Sequence, residues 1–364
     1  MELFKKYYVY IILLVFSIFS IVFVYNDYFL YKTPILKIEE IIEEKYESSI
    51  HNEDYYKQRI NGIIQNGKYK GRRVTVNNLR SSSGVYDIQV HKNTELMLQI
   101  SSDMENISIV NVKRDKYLVI LLVLFVDSII LVAGKKGLKT IISLLINIIV
   151  SALTILVFNK YYNKFNMLLI YLFVSIIFIV LSLVITNKKS KKRVAAIISS
   201  IVSLFISFGF CYLVIKIYGK DLYIWSMEYI EVVSDYENYF FVSILLSGLG
   251  AIMDIAITIS SSLNELIIKN KNIKKTKLLK SGKEIGKDIV GTMSNVMLYT
   301  CFTPIIPMLF LAVKNNMTIG NAISYYGELE LVTVLCSCIS IVLAIPLSLL
   351  VSSFVLTKRG DKND

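Results

Sequence analysis

Charged residues, proline and tryptophan are scarce in this chain of 364 residues. Only 19% of its residues are charged, where an ordinary soluble domain has about 25%, and there are 4 prolines and 1 tryptophan. Hydrophobic residues make up 54%, and the mean hydropathy is +0.57. This composition excludes a disordered chain, which needs low hydrophobicity. The apolar residues form blocks of about 20, the length of a bilayer-spanning helix. The sequence therefore predicts a polytopic membrane protein.

Cysteine and histidine are also rare, with 4 and 2 residues. All four cysteines fall within apolar blocks, so none is available to cross-link a polar domain. His51 and His91 lie in a polar stretch, and no Cys/His cluster has the spacing of a zinc site. We therefore expect no transition-metal site and no cofactor, although sites built from carboxylates alone stay open.

Eight apolar blocks are long enough to be transmembrane helices. Helices are expected because the backbone in lipid must be satisfied internally, and no block alternates like a barrel strand. The predicted fold class is α-helical, with one uncleaved anchor helix, a seven-helix bundle and a small β-rich, barrel-like domain between them. The blocks are Tyr8–Val24, Tyr117–Ala133, Lys139–Phe158, Asn166–Thr186, Val194–Ile217, Phe240–Ile259, Ile289–Leu311 and Leu331–Val355.

Four domains follow from this count: an anchor at 1–25, a polar β-rich domain at 26–116, a membrane domain at 117–357 and a tail at 358–364. In the polar domain, Ile35–Glu47 fits either a short helix or an edge strand. The turn Asn66–Gly71 joins the first two of the later strands, and about five short strands suit a small barrel. Those later strands are predicted near Arg59–Gln65, Arg72–Asn77, Glu95–Ile100 and Ser108–Val112.

The distribution of lysine and arginine predicts the orientation. The net charge of +12 is concentrated in alternate connecting segments, chiefly Asn187–Arg193 and Lys269–Lys287, and a basic bias marks the cytoplasmic side. The segment Gly219–Tyr239 is acidic instead. We therefore expect a plasma-membrane protein with both termini cytoplasmic and residues 26–116 extracytoplasmic. The basic inner face should attract anionic lipid heads; nucleic acid is not an expected partner, because the lysines lack aromatic stacking partners.

The sixth block carries a stripe of polar residues. Thr258, Ser261 and Glu265 follow Asp254 at offsets of four, seven and eleven, which places them on one helical face. Ionisable residues inside a span are costly, so Asp254 is a hypothesis for a binding site. The alternative is a buried Asp that only holds two helices together. Gly248 and Gly250 precede it and would let a neighbouring helix approach closely.

The seventh block begins with a second stripe. Asp288, Thr292 and Asn295 share one face of the helix. Gly286 and Gly291 have no side chain and would let a neighbouring helix approach closely. Asp288 would also complement the positive end of the helix, which is the alternative to a binding role. Both stripes together are predicted to bind a small solute or ion.

Two further features fall inside spans. Pro304 and Pro307 each remove a backbone donor and are predicted to break the seventh span, either as a plain kink or as the broken helix of a transport site. Asp127 lies near the middle of the second span and is a further hypothesis for a solute- or ion-binding residue. The sequence does not determine whether it faces the same interior as Asp254.

These residues carry a family resemblance. The runs GLGAIMD (Gly248–Asp254) and GKEIGKDIVGTMSN (Gly282–Asn295), with Glu265 between them, resemble the signature of the YibE/F-like family of bacterial membrane proteins. AGKKGL (Ala133–Leu138) and NGKYKG (Asn66–Gly71) are similar too. The resemblance implies a multi-pass membrane protein with an outer N-terminal domain, of a kind suspected to be permeases.

Two function classes follow, and a third is disfavoured. The first is a secondary transporter or permease that uses polar groups on spans six and seven. The second is a non-transporting scaffold or assembly protein that presents its extracytoplasmic domain. An enzyme is not expected, because the sequence has no GxSxG, HExxH or Walker motif. A homo-oligomer or a second membrane subunit stays open in either class.

Overall fold

The computed structural model describes residues 2–46, 54–82, 87–88, 90–101, 106–161, 166–219, 222, 236–270 and 273–357. The predicted tail at 358–364, His51 and most of the predicted acidic loop lie outside the described residues. The chain forms two compact units, Met1–Gly137 and Leu138–Asp364. Helix α2 runs through the boundary between them.

The first unit holds an apolar helix and a five-stranded antiparallel sheet with strand order β3-β2-β1-β4-β5. The edge strands β3 and β5 also contact each other, so the sheet is nearly closed, and the predicted β-rich, barrel-like domain is confirmed. The elements are α1 (Glu2–Val24), a 3-10 turn (Asp27–Leu30), β1 (Ile35–Tyr46), β2 (Tyr55–Ile64), β3 (Arg73–Ser81), β4 (Glu95–Ile100), β5 (Ile107–Val112) and the start of α2 (Asp115–Lys160).

Strand β1 differs from both alternatives predicted for this segment. It is neither a helix nor an edge strand but the central strand, paired with β2 on one side and β4 on the other. Its register with β2 shifts between Ile38 and Glu40. Such a bulge inserts one extra residue, so the apolar residues Ile38 and Ile41 lie three apart. This spacing imitates a helix in the sequence.

A buried lysine joins the sheet to both helices of the first unit. The Lys113 ammonium is fully buried and lies 2.7 Å from Asp27 and 3.0 Å from Asp115. It lies 3.6 Å from Glu95 on β4 and donates a hydrogen bond to the carbonyl of Val24, the last residue of α1. One cation therefore contacts the end of α1, the 3-10 turn, a strand and the first residue of α2.

Three further side chains complete this group. Lys116 lies 2.6 Å from Glu95, and the hydroxyls of Tyr28 and Tyr31 donate to Glu95 and Asp115, each at 2.6 Å. We call Asp27, Glu95, Lys113, Asp115 and Lys116 the ionic cluster. Nothing in the sequence signals it, because its members are up to 89 positions apart.

Burial and pairing shift the pKa values in the ionic cluster in opposing ways. Burial alone would lower the pKa of Lys113, but hydrogen bonds to Asp27 and Asp115 outweigh it and raise the pKa above its ordinary value. Burial raises the pKa of Asp27, although Lys113 acts against this. The pKa of Tyr28 is raised by burial and by its hydrogen bond to Glu95. The cluster therefore keeps Lys113 charged, and that charge holds three carboxylates together.

The second unit is helical throughout its described elements. Its core lies between α4, α5 and α9, with α3 and α6 packed against them. The elements are the rest of α2, then α3 (Met167–Thr186), α4 (Lys191–Tyr218), α5 (Tyr236–Lys269), α6 (Lys275–Phe302), α7 (Ile305–Lys314), α8 (Ile319–Ala322), a π-helical turn (Ile323–Gly327) and α9 (Glu328–Thr357).

Five of the described helices are long and apolar enough to cross a membrane, and six if the bent pair α6 and α7 forms one span. This is fewer than the eight predicted spans for two reasons. The second and third predicted spans both lie in α2, and α1 contributes only a shorter apolar segment, Ile11–Val24. Helix α2 is interrupted at Gly134, where φ is 54° and ψ is −131°, a conformation that favours glycine.

Serine hydroxyls connect the three central helices. Ser352 on α9 lies within 2.7 Å of Ser260 on α5 and 3.2 Å of Ser199 on α4. Ser247 on α5 and Ser337 on α9 are 2.7 Å apart. Small hydroxylated side chains let helix backbones approach closely and satisfy each other in an apolar interior.

Glycines bring α6 against α9. A Cβ atom added at Gly286 would collide with Cγ2 of Ile345, and Gly248 on α5 lies against Ser340. The predicted close approach is thus found at these two glycines. It is not found at Gly250 and Gly291, where no described atom lies within 4 Å of the added Cβ.

Replacing Lys113 by Met should destabilise the first unit by about 3–5 kcal/mol, because three carboxylates would lose their common cation. Without Lys113, the pKa values of these buried acids would rise in the folded state. The free energy of unfolding of K113M would then fall as the pH rises through the folded-state pKa values, because the acids ionise without a cation. Acidification from about pH 8 to about pH 5 should therefore increase the stability of the first unit more in K113M than in the wild type. The rate of limited proteolysis within residues 54–112 of the full chain measures this.

The exposed Lys70 of the same domain gives the matched control, because K70M removes the same charge without unpairing a buried acid. Equal proteolysis of K113M and K70M at both pH values would contradict the structural role of the cluster.

Gly286→Val should lower the thermal stability of the detergent-purified protein by about 1–3 kcal/mol, because the added methyl groups overpack the contact with Ile345. Gly291→Val is the control on the same helix, where space is open. If both variants melt at the wild-type temperature, α6 does not pack on α9 through this glycine.

Candidate functional site

One face of α5 is polar and exposed. Asp254, Thr258 and Glu265 are all exposed, and Ser261 is half-buried. The residues beside them, such as Ile255, are buried in the core. The stripe predicted from the sequence therefore lies on the outside of the second unit. We call its exposed members the polar face of α5, which the structure extends towards the start of the helix: Ser243, Gly250, Asp254, Thr258 and Glu265.

The Asp254 carboxylate has no partner among the described residues. It forms no hydrogen bond or ion pair in the described part of the chain, and the same holds for the Glu265 carboxylate. The alternative in which Asp254 is buried and holds two helices together does not fit its exposure. A carboxylate that is open on one side is available to a visiting group.

A second exposed polar surface lies on α6. Asp288, Thr292 and Asn295 are exposed, while Gly282 and Gly286 on the opposite side of the helix contact α9. The Thr292 hydroxyl donates to backbone carbonyls of its own helix. We call the exposed set the polar face of α6: Asp288, Gly291, Thr292, Asn295 and Tyr299.

Helices α5 and α6 are consecutive and in contact. Asp254 and Asp288 both lie about 20 Å from the turn that joins the two helices, counted at about 1.5 Å per residue from Lys269 and Lys275. The two carboxylates are therefore at similar positions along their helices.

Most of the large exposed side chains on α3, α4 and α9 are apolar, although Glu330 near the start of α9 is also exposed. Helix surfaces that face lipid are expected to be apolar. The polar faces of α5 and α6 differ from this expectation. Large exposed side chains on α3, α4 and α9 include Leu169, Phe173, Phe210, Leu213, Leu335 and Leu350.

Only one of the two prolines of span seven breaks the helix. Helix α6 ends at Phe302 and α7 begins at Ile305 with a bend of 45°, so the helix is interrupted at Pro304. Pro307 lies in the first turn of α7, where a missing amide donor is tolerated. The helix continues through Pro307, so the bend lies before this residue.

A cavity of about 440 Å³ lies beside the break at Pro304. Ser243 from the polar face of α5 lines it, together with Tyr325 and Tyr326 of the π-helical turn and Glu330 and Thr333 of α9. We call it the proline-break cavity. The sequence did not single out Glu330, although it is an ionisable residue near the start of an apolar block, which is a usable signal.

Asp127 is placed in the first unit. Its carboxylate accepts a hydrogen bond of 2.7 Å from the Ser17 hydroxyl on α1, while its other oxygen is buried without a hydrogen bond in the described part of the chain. Asp127 thus joins α2 to α1 within the first unit.

Two family models match most of the chain. The model described as YibE/F-like protein matches residues 121–358, and the model described as YibE/F family N-terminal domain matches residues 29–113. The first match contains both polar faces and the proline-break cavity. No curated protein and no solved structure matches the chain. The resemblance seen in the sequence motifs is confirmed, and the chain belongs to the YibE/F-like family.

Proposed function

We propose that this membrane protein is a secondary transporter or permease of a small solute or ion, and that the polar face of α5 lines its route. The observation that carries the proposal is the exposed carboxylate of Asp254, which has no partner among the described residues and lies on a helix whose opposite face, including Ile252, Ile255 and Ile259, is buried. The exposed faces of α3, α4 and α9, in contrast, are suited to lipid.

The cost of exposing Asp254 to lipid supports this choice. An aspartate at the centre of a membrane helix costs about 2.5–3.5 kcal/mol by insertion measurements. Thr258 and Asn295 add further polar groups that hydrocarbon would not solvate. Water, an ion or a polar solute beside these faces removes the free-energy cost of placing polar groups in hydrocarbon. A transport route would bring such polar groups to these faces.

The polar face of α5 has suitable end points for such a route. Ser243 at one end lines the proline-break cavity. Glu265 at the other end is followed by the lysine-rich connection to α6, including Lys269 and Lys275. A solute would pass between the cavity and this basic end by way of Asp254.

The membrane topology belongs to the same proposal. At about 1.5 Å per residue α2 is about 69 Å long, roughly twice the thickness of the hydrocarbon core. Its interruption at Gly134 would allow it to form two spans, and α1 and the pair α6 and α7 would bring the count to eight. The positive-inside pattern then places both termini in the cytoplasm of a plasma-membrane protein, residues 26–116 outside, and the basic inner loops at anionic lipid heads.

Asp254→Asn should abolish transport while the protein still inserts, because the amide keeps the size of the side chain but removes the charge. Growth of a deletion strain on a panel of ions, toxins and nutrients identifies the substrate. Flux of that substrate into proteoliposomes with matched protein content then compares D254N with the wild type.

Glu237→Gln is the matched control, because Glu237 is an exposed acid on the same helix that is paired with Lys216 at 2.7 Å. It should keep the flux. Full flux through D254N would contradict the role of the carboxylate.

A second candidate function is a non-transporting scaffold for the N-terminal domain. The ionic cluster favours it, because this cluster fixes the sheet firmly to α1 and α2. A scaffold predicts that the wild-type protein gives no more flux than empty liposomes for any substrate that the growth panel indicates.

A further inference from the structure

The proline-break cavity has the chemical features of a cation site. Glu330 supplies its negative charge, and no ion pair or hydrogen bond to this carboxylate occurs among the described residues. No arginine, lysine or histidine is among the residues that line the described cavity. The Glu330 carboxylate therefore has no cationic side chain beside it in the described cavity and could pair with a cationic ligand.

Two hydroxyl groups of the cavity, those of Ser243 and Thr333, present acceptors. The Ser243 hydroxyl donates its hydrogen to the carbonyl of Phe240 at 2.8 Å, and the Thr333 hydroxyl donates to the carbonyl of Leu329 at 2.9 Å. Each hydroxyl has one hydrogen, so only oxygen lone pairs are left for a ligand. Together with the Glu330 carboxylate, these two hydroxyls favour a ligand that donates hydrogen bonds.

Aromatic and apolar side chains form the rest of the wall. The rings of Tyr325 and Tyr326 lie 4.8 Å apart in an edge-to-face arrangement, and aromatic rings attract cations. Phe240, Ile305 and Met308 add apolar surface. A single carboxylate is a poor donor set for a divalent metal ion, which takes at least six oxygen ligands in the case of calcium, whereas an organic cation suits this mixture.

The backbone around the cavity is unusual on two sides. Pro304 interrupts one helix at its edge, and the π-helical turn Ile323–Gly327 brings both tyrosines to it. Such π-helical turns are rare and frequently occur at functional sites. Both irregularities border the same cavity.

We propose that the proline-break cavity binds a small organic ammonium ion, with the ammonium group at Glu330 and its apolar part against Tyr325, Tyr326 and Met308. This inference deepens the proposed transport function and rests on it for the purpose of the site. The class of transported solute would then be primary amines.

Saturation-transfer NMR on the full chain in detergent tests the binding directly, with butylammonium as the probe and butanol and butyrate as neutral and anionic probes of the same length. Wild-type protein should bind butylammonium best. Glu330→Gln should weaken binding about tenfold or more, as expected for the loss of a charge-assisted hydrogen bond. Thr333→Val removes only one acceptor and should weaken it less.

Glu328→Gln is the matched control, since Glu328 lies two residues away and does not line the cavity. It should bind like the wild type, and thermal melting verifies that all variants are folded. Equal binding of butylammonium by E330Q and wild type, equal binding of butanol, or no butylammonium binding up to about 10 mM would each overturn the inference.

The failure of this inference can be told apart from the failure of the transport proposal. Absent butylammonium binding together with loss of flux in D254N would reject the ammonium site alone. Glu330-dependent binding together with full flux in D254N would reject the route through Asp254 and leave the site in place.

Discussion

The cost of exposing polar groups to hydrocarbon is the constraint on which the membrane part of this protein depends. In the interior of the second unit, several serine hydroxyls on α4, α5 and α9 meet this cost by bonding one another, whereas those of Ser200, Ser203 and Ser348 are buried without a hydrogen bond among the described residues. The large exposed side chains of α3, α4 and α9 are mostly apolar, and the exposed Glu330 of α9 borders the proline-break cavity. The polar faces of α5 and α6, in contrast, are exposed and carry polar side chains. These two helices therefore need something other than lipid beside them, which is the physical basis of the proposed route.

The same constraint acts on the first unit at the junction between sheet and helices. Lys113 is fully buried, and it is stable there because Asp27, Glu95 and Asp115 surround it. Breaking such a group is costly, whereas its net contribution to stability is small. The cluster therefore acts mainly to specify one geometry for the end of α1, the sheet and the start of α2.

The sequence predicts features whose signal is periodic and misses those that depend on distant partners. The polar face around Asp254 was predictable because its members repeat with the helical period. β1 was not, because the bulge after Ile38 disguises the strand pattern. Lys113 meets its acids only in the folded chain. The effect of Pro307 depends on where a new helix begins, which the sequence pattern does not fix. Glu330 needed the neighbouring helices to reveal a cavity.

Reactivity of introduced cysteines towards a charged, water-soluble thiosulfonate tests most directly whether water reaches the polar face of α5. T258C on that face is compared with L350C on the apolar exposed face of α9, in a chain whose four native cysteines are replaced by alanine. The account predicts rapid modification of T258C in membrane vesicles and none of L350C. Modification of T258C as slow as that of L350C would show that water does not reach this face and would contradict the account.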